Sequence, residues 1–171
     1  TQIFVDPIMG DEGHLYNGLT DETVKEMRKL IAQADYMVPN YTEAALLTGT
    51  AYEEKGTSKA EIQELLQKLH AISGGSVVIT SAKVDGADVV TGYDAKKKSY
   101  FLLPFDLIPV RFPGTGDIFS SIFMGDVLLG KDMEDATDKA MQAVREMILR
   151  NMDNQDTFKG IPIETCLEVI D

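Results

Sequence analysis

Several residue types and features are scarce or missing in this chain, and each absence narrows the interpretation. Cysteine occurs once, at Cys166, so no internal disulfide can form, and the composition is typical of a cytoplasmic protein. No uninterrupted apolar run approaches the length of a membrane span, so no membrane partner is predicted. Lysine and arginine total 16 against 28 acidic residues, and the formal net charge of -12 argues against nucleic acid as a partner. Nucleotides stay compatible with this charge, because loop N–H groups and a metal ion hold phosphates without basic side chains.

The pattern of apolar residues predicts an α/β fold. The chain has 171 residues, of which 44% are hydrophobic, and no linker or repeat divides it, so residues 1–171 are predicted to form one domain. Short β-branched runs alternate with segments of helical spacing, which is typical of a mostly parallel sheet covered on both faces. The predicted strands are 3–5, 36–40, 77–80, 88–93 and 99–103, with a hairpin over 94–98, and the predicted helices are 20–34, 42–48, 58–69, 118–130, 132–151 and a short one at Pro162.

Three polar clusters follow the predicted strands where each strand ends: Asp6–Asp11, Asn40–Glu43 and Thr80–Ser81. Ligands of parallel α/β sheets bind at the carboxyl ends of the strands, so the clusters are candidates for one site. Each cluster also has a simpler interpretation. The acids of the first either hold Mg²⁺ or are solvated in a proline–glycine turn. The second either contributes to a site or caps a helix, and the hydroxyls of the third bond either phosphate or the strand's own backbone.

The fourth candidate is the stretch PGTGDIFSS at residues 113–121. It is not a Walker A loop, because no lysine follows the glycines, and it lacks the third glycine of a dinucleotide-binding loop. Gly114 and Gly116 permit unusual backbone angles. The N–H groups of Thr115, Gly116 and Asp117 can therefore converge on one oxyanion. Asp117 is then either a base that takes a proton from an attacking hydroxyl or the N-cap of the helix that follows.

Taken together and in this order, the four clusters resemble motifs of the ribokinase superfamily, and within it of the pyridoxal kinases. The family motif D-P-V-M-G-D is matched by Asp6–Asp11, which reads DPIMGD. The motif P-N-x-x-E is matched by Pro39–Glu43, and a strand ending in T-S is matched by Thr80–Ser81. The final motif G-T-G-D is matched by Gly114–Asp117. The resemblance covers essentially the whole chain and implies a ribokinase-like three-layer sandwich.

The resemblance implies ATP-dependent phosphorylation of the primary hydroxyl of pyridoxal, pyridoxamine or pyridoxine. In this family Asp117 would be the catalytic base. Gly114–Gly116 would form the catalytic loop, in which the backbone N–H groups of Thr115, Gly116 and Asp117 would stabilise the transferring group. The hydroxyls of Thr80–Ser81 would contact phosphate. Val110 and Phe112 lie in the segment that resembles the loop beside adenine.

The resemblance also implies cations at the first two clusters. Asp11 and Glu43 would order Mg²⁺ and its waters, with Asn40 nearby to help bind the nucleotide. Asp6 would support the site or a monovalent cation such as K⁺.

A full member of the family begins well upstream of D-P-V-M-G-D. The resemblance therefore implies that the chain is the C-terminal, nucleotide-handling portion, that it lacks most of the vitamin pocket and is inactive alone, and that it forms a homodimer. Three alternatives stay open. Hydroxymethylpyrimidine kinase shares the D-P-V-M start, although Gly10, Asp11 and Asp117 favour the pyridoxal type. The second alternative is a non-catalytic nucleotide-binding module that needs a partner chain. The third is an oxidoreductase with a dinucleotide-binding fold, although the chain lacks the glycine pattern of such a fold.

Overall fold

The structure is a computed structural model that describes residues 1–154 and 156–170. The chain divides into two compact units, residues 1–105 and the segment from residue 106 onward. The interpretation of the whole chain as one domain therefore stays a prediction. Within the described ranges, no helix is both long enough and apolar enough to cross a membrane.

Strands and helices alternate in the first unit, whereas the second unit is helical. The strands are β1 Phe4–Val5, β2 Gly10–Asp11, β3 His14–Leu15, β4 Tyr36–Met37, β5 Ser76–Val84, β6 Ala87–Asp94 and β7 Ser99–Pro104. The helices of the first unit are α1 Asp21–Ile31, α2 Tyr41–Thr48 and α3 Lys59–Ser73. The second unit contains α4 Thr115–Leu128, α5 Met133–Arg150 and three 3₁₀ turns, Thr157–Lys159, Ile163–Thr165 and Leu167–Val169.

The main sheet has five strands in the order β1-β4-β5-β6-β7. The first three strands are parallel, with Phe4 opposite Tyr36 and Met37 opposite Val77. β6 and β7 add antiparallel neighbours at the other side, and they are joined by the hairpin that the sequence predicts over residues 94–98. The predicted α/β architecture is confirmed. The sheet is mixed, because the two hairpin strands extend its parallel half.

The strands at the start of the chain depart from the sequence prediction. β1 and β4 have only two residues each, so the predicted strand over 36–40 ends at Met37. The segment after Asp6, which reads as an irregular loop in the sequence, contains the small antiparallel hairpin β2–β3, in which Gly10 lies opposite Leu15. Strands this short carry too little apolar periodicity to be detected from sequence.

The three helices of the first unit begin close to the predicted positions, whereas α1 ends at Ile31, before the predicted 34, and α3 continues to Ser73, beyond the predicted 69. Asn40 and Ser58 are the N-caps of α2 and α3, and each forms a capping box with a glutamate three residues later. Gly49 and Gly74 end these helices in the left-handed conformation, with φ of 69° and 74°. The apolar core lies between the sheet and α1–α3, and its fully buried members include Met9, Ile31, Met37, Leu47, Ile62, Leu66, Leu69, Val77 and Ile79.

In the second unit, α4 and α5 pack against each other. Phe119 and Phe123 stack along α4 with ring centroids 6.3 Å apart. The buried carboxylate of Asp126 receives Lys131 Nζ at 3.0 Å on one oxygen, and its other oxygen accepts no hydrogen bond from the described residues. Cys166 is 2% exposed, as is common for a free cysteine that packs like a small apolar side chain.

Candidate active site

The second and third polar clusters lie side by side just beyond the end of β4. β5, however, continues through Thr80–Ser81 to Val84, so the prediction that the third cluster follows the end of its strand is wrong. Past the buried run, the strand continues as one side of the β5–β6 hairpin, where exposed and buried side chains alternate. Beyond the regular strands, Asn40 and Thr80 form an isolated parallel bridge, and the N–H of Thr80 donates to the carbonyl oxygen of Pro39 at 3.0 Å. Parallel pairing thus continues past the end of β4 to Asn40 of the P-N-x-x-E motif. The predicted convergence of these two clusters is confirmed by the register of the sheet.

The Thr80–Ser81 pair lies at an irregularity of β5. The pairing of β5 with β6 changes register between Ile79 and Ala82. Ser81 has a φ of 57°, in the left-handed region that a residue with a side chain rarely adopts, and it is exposed. Bulges re-aim side chains next to functional sites, and such backbone strain concentrates at binding sites. This arrangement is compatible with the predicted contact of the hydroxyls with phosphate.

The first motif, DPIMGD, runs from the end of β1 into the hairpin β2–β3. Gly10 is required there by close packing, because a Cβ at this position would collide with the carbonyl oxygen of His14. Gly13 occupies the turn with a φ of 81°, and its N–H donates to Thr42 Oγ1 at 2.9 Å. The hairpin is therefore attached to the N-terminus of α2.

Glu43 bridges the first two motifs. Its side chain is buried, and its two oxygens accept the N–H groups of Met9 and Asn40, each at 2.9 Å. Burial raises the pKa of the Glu43 carboxyl to about 7; the negative charge of Asp6 adds to this, and the backbone N–H donors oppose it. Asn40 completes the link, since its Oδ1 accepts the N–H of Glu43 at 2.9 Å and its Nδ2 donates to the carbonyl oxygen of Gly10 at 2.7 Å.

Asp6 and Asp11 are half-buried residues of the same segment. No group of three or more His, Cys, Asp or Glu side chains in the described part of the chain is arranged to hold a metal ion by itself. Mg²⁺, however, is usually held by one or two carboxylates together with water and substrate phosphates. The donor set of Asp6 and Asp11 fits such a shared site, and a role in metal binding stays a prediction for both.

The fourth motif, Gly114–Asp117, belongs to the second unit. Gly114 is the N-cap of α4, in the left-handed conformation with a φ of 85°, and its carbonyl oxygen accepts the N–H of Ile118 at 3.0 Å. The N–H groups of Thr115, Gly116 and Asp117 belong to the first turn, where the helix itself supplies no acceptors. The start of α4 therefore has the donors that the sequence predicts.

Asp117 is an exposed residue in the first turn of α4 and is not its N-cap. Its Oδ2 would lie 3.6 Å from a Cβ built at Gly114, so the carboxylate folds back toward the start of the helix. The simpler interpretation of Asp117 as an N-cap is wrong, because the glycine three residues earlier takes that position. The carboxylate therefore lies near the first-turn N–H groups of α4, and its role as a base stays a prediction.

The loop before α4 holds the other two predicted nucleotide contacts. Phe112 is buried and Val110 is half-buried. A feature that the sequence analysis missed lies beside them: Gly160, with a φ of 71°, approaches so closely that a Cβ there would be 3.0 Å from the carbonyl oxygen of Pro113. A contact over more than forty positions of sequence leaves no local signal. The link from Thr42 to the hairpin β2–β3 was also missed, although Thr42 stands inside the P-N-x-x-E motif.

Comparisons with known proteins agree with this geometry. A pyridoxal kinase from Arabidopsis thaliana is 30% identical over 170 residues, which are 96% of this chain and 53% of the relative. A crystal structure of a Bacteroides thetaiotaomicron protein assigned as a phosphomethylpyrimidine kinase, in a form with pyridoxal, is 33% identical with a TM-score of 0.92, over 100% of this chain and 61% of the other. Pyridoxal kinase from Lactobacillus plantarum is 28% identical with a TM-score of 0.88, over 99% and 61%.

The chain spans about half the length of the curated relatives it matches. The family model described as phosphomethylpyrimidine kinase matches residues 1–161. The resemblance to pyridoxal kinases that the four motifs suggest is confirmed by these relatives. The chain therefore belongs to the phosphomethylpyrimidine kinase family of the ribokinase superfamily, in which its relatives include pyridoxal kinases.

Proposed function

We propose that the protein containing this chain transfers the γ-phosphoryl group of ATP to the primary hydroxyl of a B6 vitamer. The observation that carries the proposal is the start of α4, where the Asp117 carboxylate folds back beside a glycine N-cap and the first-turn N–H groups. The similarity to pyridoxal kinases supports the choice of acceptor. The chain contributes the ATP side of the site and the base, and the 171 residues alone are proposed to be inactive.

In the proposed reaction, Asp117 takes the proton from the hydroxyl as its oxygen attacks the γ-phosphorus. The new oxygen–phosphorus bond forms while the bond to the β-phosphate bridging oxygen breaks, so ADP leaves with that electron pair. The N–H groups of Thr115 and Gly116 and the positive end of the α4 dipole stabilise the charge on the transferring group. Positioning and charge stabilisation provide most of the rate in such reactions.

Residues of the first unit are proposed to contact the cations and the phosphates of the nucleotide. Asp11 and Asp6 are the candidate carboxylates for Mg²⁺ and for a monovalent cation such as K⁺. Mg²⁺, when bound, supplies positive charge that neutralises the phosphates. Thr80 and Ser81 are proposed to contact phosphate, since they lie beside Asn40 at the same edge. Val110 and Phe112 are proposed to lie beside adenine.

Hydroxymethylpyrimidine or its phosphate is the second candidate acceptor, because the matching family model is described as phosphomethylpyrimidine kinase. A panel of acceptors separates the two candidates. Pyridoxal, pyridoxamine, pyridoxine and hydroxymethylpyrimidine are each incubated with ATP, Mg²⁺ and the protein, and the phosphorylated products are separated and quantified. We expect the highest kcat/KM with a B6 vitamer. A higher value for hydroxymethylpyrimidine would assign the protein to the second activity, and nucleotide binding without any product would favour a non-catalytic module.

A further inference from the structure

The side chains of Asn40, Thr42 and Glu43 attach the N-terminus of α2 to the backbone of residues 9–13, and we call these three residues the clasp. Each clasp residue is hydrogen-bonded to that segment. The bonds are Met9 N–H to Glu43 Oε1 at 2.9 Å, Asn40 Nδ2 to the Gly10 carbonyl oxygen at 2.7 Å, and Gly13 N–H to Thr42 Oγ1 at 2.9 Å. Asp11 lies in the middle of the segment that these bonds hold.

Two of the three clasp residues are buried and Asn40 is half-buried, which makes their bonds costly to lose. Thr42 is 2% exposed and Glu43 is 3% exposed. Both oxygens of the Glu43 carboxylate already accept backbone N–H groups, one from residues 9–13 and one from its own helix start. A buried backbone donor that loses its acceptor is strongly destabilising, so these bonds fix the course of the segment.

A second capping box in the same unit shows that Glu43 does more than cap a helix. Glu61 of α3 has the same relation to Ser58 that Glu43 has to Asn40. Glu61 is exposed, and its side-chain bonds go to Ser58 and to the neighbouring Thr57. Glu43, by contrast, reaches a segment 34 positions away in sequence. The difference between the two glutamates is the link to residues 9–13.

We propose that Glu43 is a positioning residue, which acts with Thr42 and Asn40 to hold Asp11 at the carboxyl edge of the sheet and does not itself ligate Mg²⁺. This inference reassigns Glu43, which the family resemblance places among the metal ligands. Only one part of this inference rests on the proposed function, namely that Asp11 takes part in binding Mg²⁺ and a nucleotide. The attachment of residues 9–13 to α2 is a property of the protein without any ligand.

The decisive variant is Glu43→Gln, with Glu61→Gln as the matched control. Glutamine has one acceptor oxygen, so its NH₂ group would face the N–H of either Met9 or Asn40, donor against donor. In metal-free protein at pH 8 or above, where the Glu43 carboxyl with its pKa of about 7 is ionised and both oxygens are acceptors, amide hydrogen exchange followed by mass spectrometry should show about tenfold or more faster exchange of residues 9–13 in Glu43→Gln. Glu61→Gln should leave exchange in that segment unchanged. Unchanged exchange in Glu43→Gln, or equal acceleration by both variants, would overturn the proposal.

Thr42 gives the second test, which also covers the case in which Glu43→Gln does not fold. Thr42→Val removes the acceptor for Gly13 N–H, together with the hydrogen bond of the Thr42 hydroxyl to the side chain of Tyr52, and Thr42→Ser keeps the hydroxyl for both. We expect Thr42→Val to accelerate exchange of residues 9–13 and to weaken Mg²⁺–ATP binding about tenfold in calorimetric titration, with Thr42→Ser restoring both. Unchanged exchange in Thr42→Val would contradict the clasp. If Thr42→Val exchanges faster but the wild type binds no nucleotide, the clasp is supported and the proposed function is contradicted.

Discussion

Gly116, the second residue of α4, offers a test of whether the start of this helix is kept open for a ligand. A Cβ built there meets no described atom within 4 Å outside its chain neighbours and the helix backbone, and the residue lies in regular helix. Glycine disfavours helix by up to about 1 kcal/mol relative to alanine, and by less in the first turn. Gly116→Ala is therefore expected to raise the free energy of unfolding by about 0.5–1 kcal/mol, which is about 1–4 °C in Tm for a chain of this size.

The same methyl group should damage the proposed activity. It would stand beside the N–H groups of Thr115 and Asp117, where the account places the oxygens of the transferring phosphoryl group. Loss of one aligned donor in such a site costs about 10²–10³ in rate, so kcat/KM for ATP should fall by at least about tenfold. Gly116→Ala thus separates folding from function, because the two effects have opposite signs.

Gly125 supplies the matched control on the same helix. A Cβ there also meets nothing within 4 Å among the described residues, yet the position is ten residues from the start of α4 at Thr115. Thermal unfolding and steady-state kinetics with ATP and pyridoxal should show a gain in Tm for both variants and a loss of kcat/KM for Gly116→Ala alone. Equal stability gains with unchanged kcat/KM in both variants would contradict the proposal that the start of α4 binds the transferring phosphoryl group.

Two further predictions concern Glu43 and the extent of the chain. Because the folded-state pKa of Glu43 is raised from 4.5 to about 7, its contribution to stability is fully present below pH 4.5 and is lost as pH rises through 7. The free energy of unfolding of the wild type minus that of Glu43→Gln should therefore fall by about 1–3 kcal/mol between pH 4.5 and 8, measured by urea denaturation, and a flat or rising difference would contradict it. The 171 residues alone should give weak ATP hydrolysis at most, since they span about half the length of their relatives; vitamin phosphorylation at the rate of the longer protein would show that they hold the acceptor pocket.

Sequence reasoning is most successful here where the signal is local. The N-caps Asn40 and Ser58 and the terminating glycine at Gly49 are encoded within a few residues of the helix ends, and the structure confirms them. The hairpin over 94–98 is likewise flanked by two long strands of clear β pattern. The family motifs locate the site for the same reason, because each is a short contiguous stretch.

The parts that sequence reasoning missed depend on contacts between distant positions. The hairpin β2–β3 has only two residues in each strand, and it is attached to α2 through Thr42. The left-handed backbone of Ser81 follows from a register change against β6, and the fit of Gly160 beside Pro113 joins two ends of the second unit. One partner of the Glu43 carboxylate, the N–H of Met9, lies 34 positions away, so the sequence does not reveal the link between Glu43 and residues 9–13.

The rate at which Asp117→Asn forms pyridoxal phosphate from ATP and pyridoxal tests most directly whether Asp117 is the catalytic base. Asparagine keeps the size of the side chain but cannot accept the proton, so the variant should bind ATP with near-normal affinity and lose about 10²–10⁴ in kcat. Asp132→Asn, the same substitution at the N-cap of α5, should leave kcat unchanged, because asparagine caps a helix as well as aspartate. A kcat for Asp117→Asn within about twofold of wild type would contradict the assignment of Asp117 as the base.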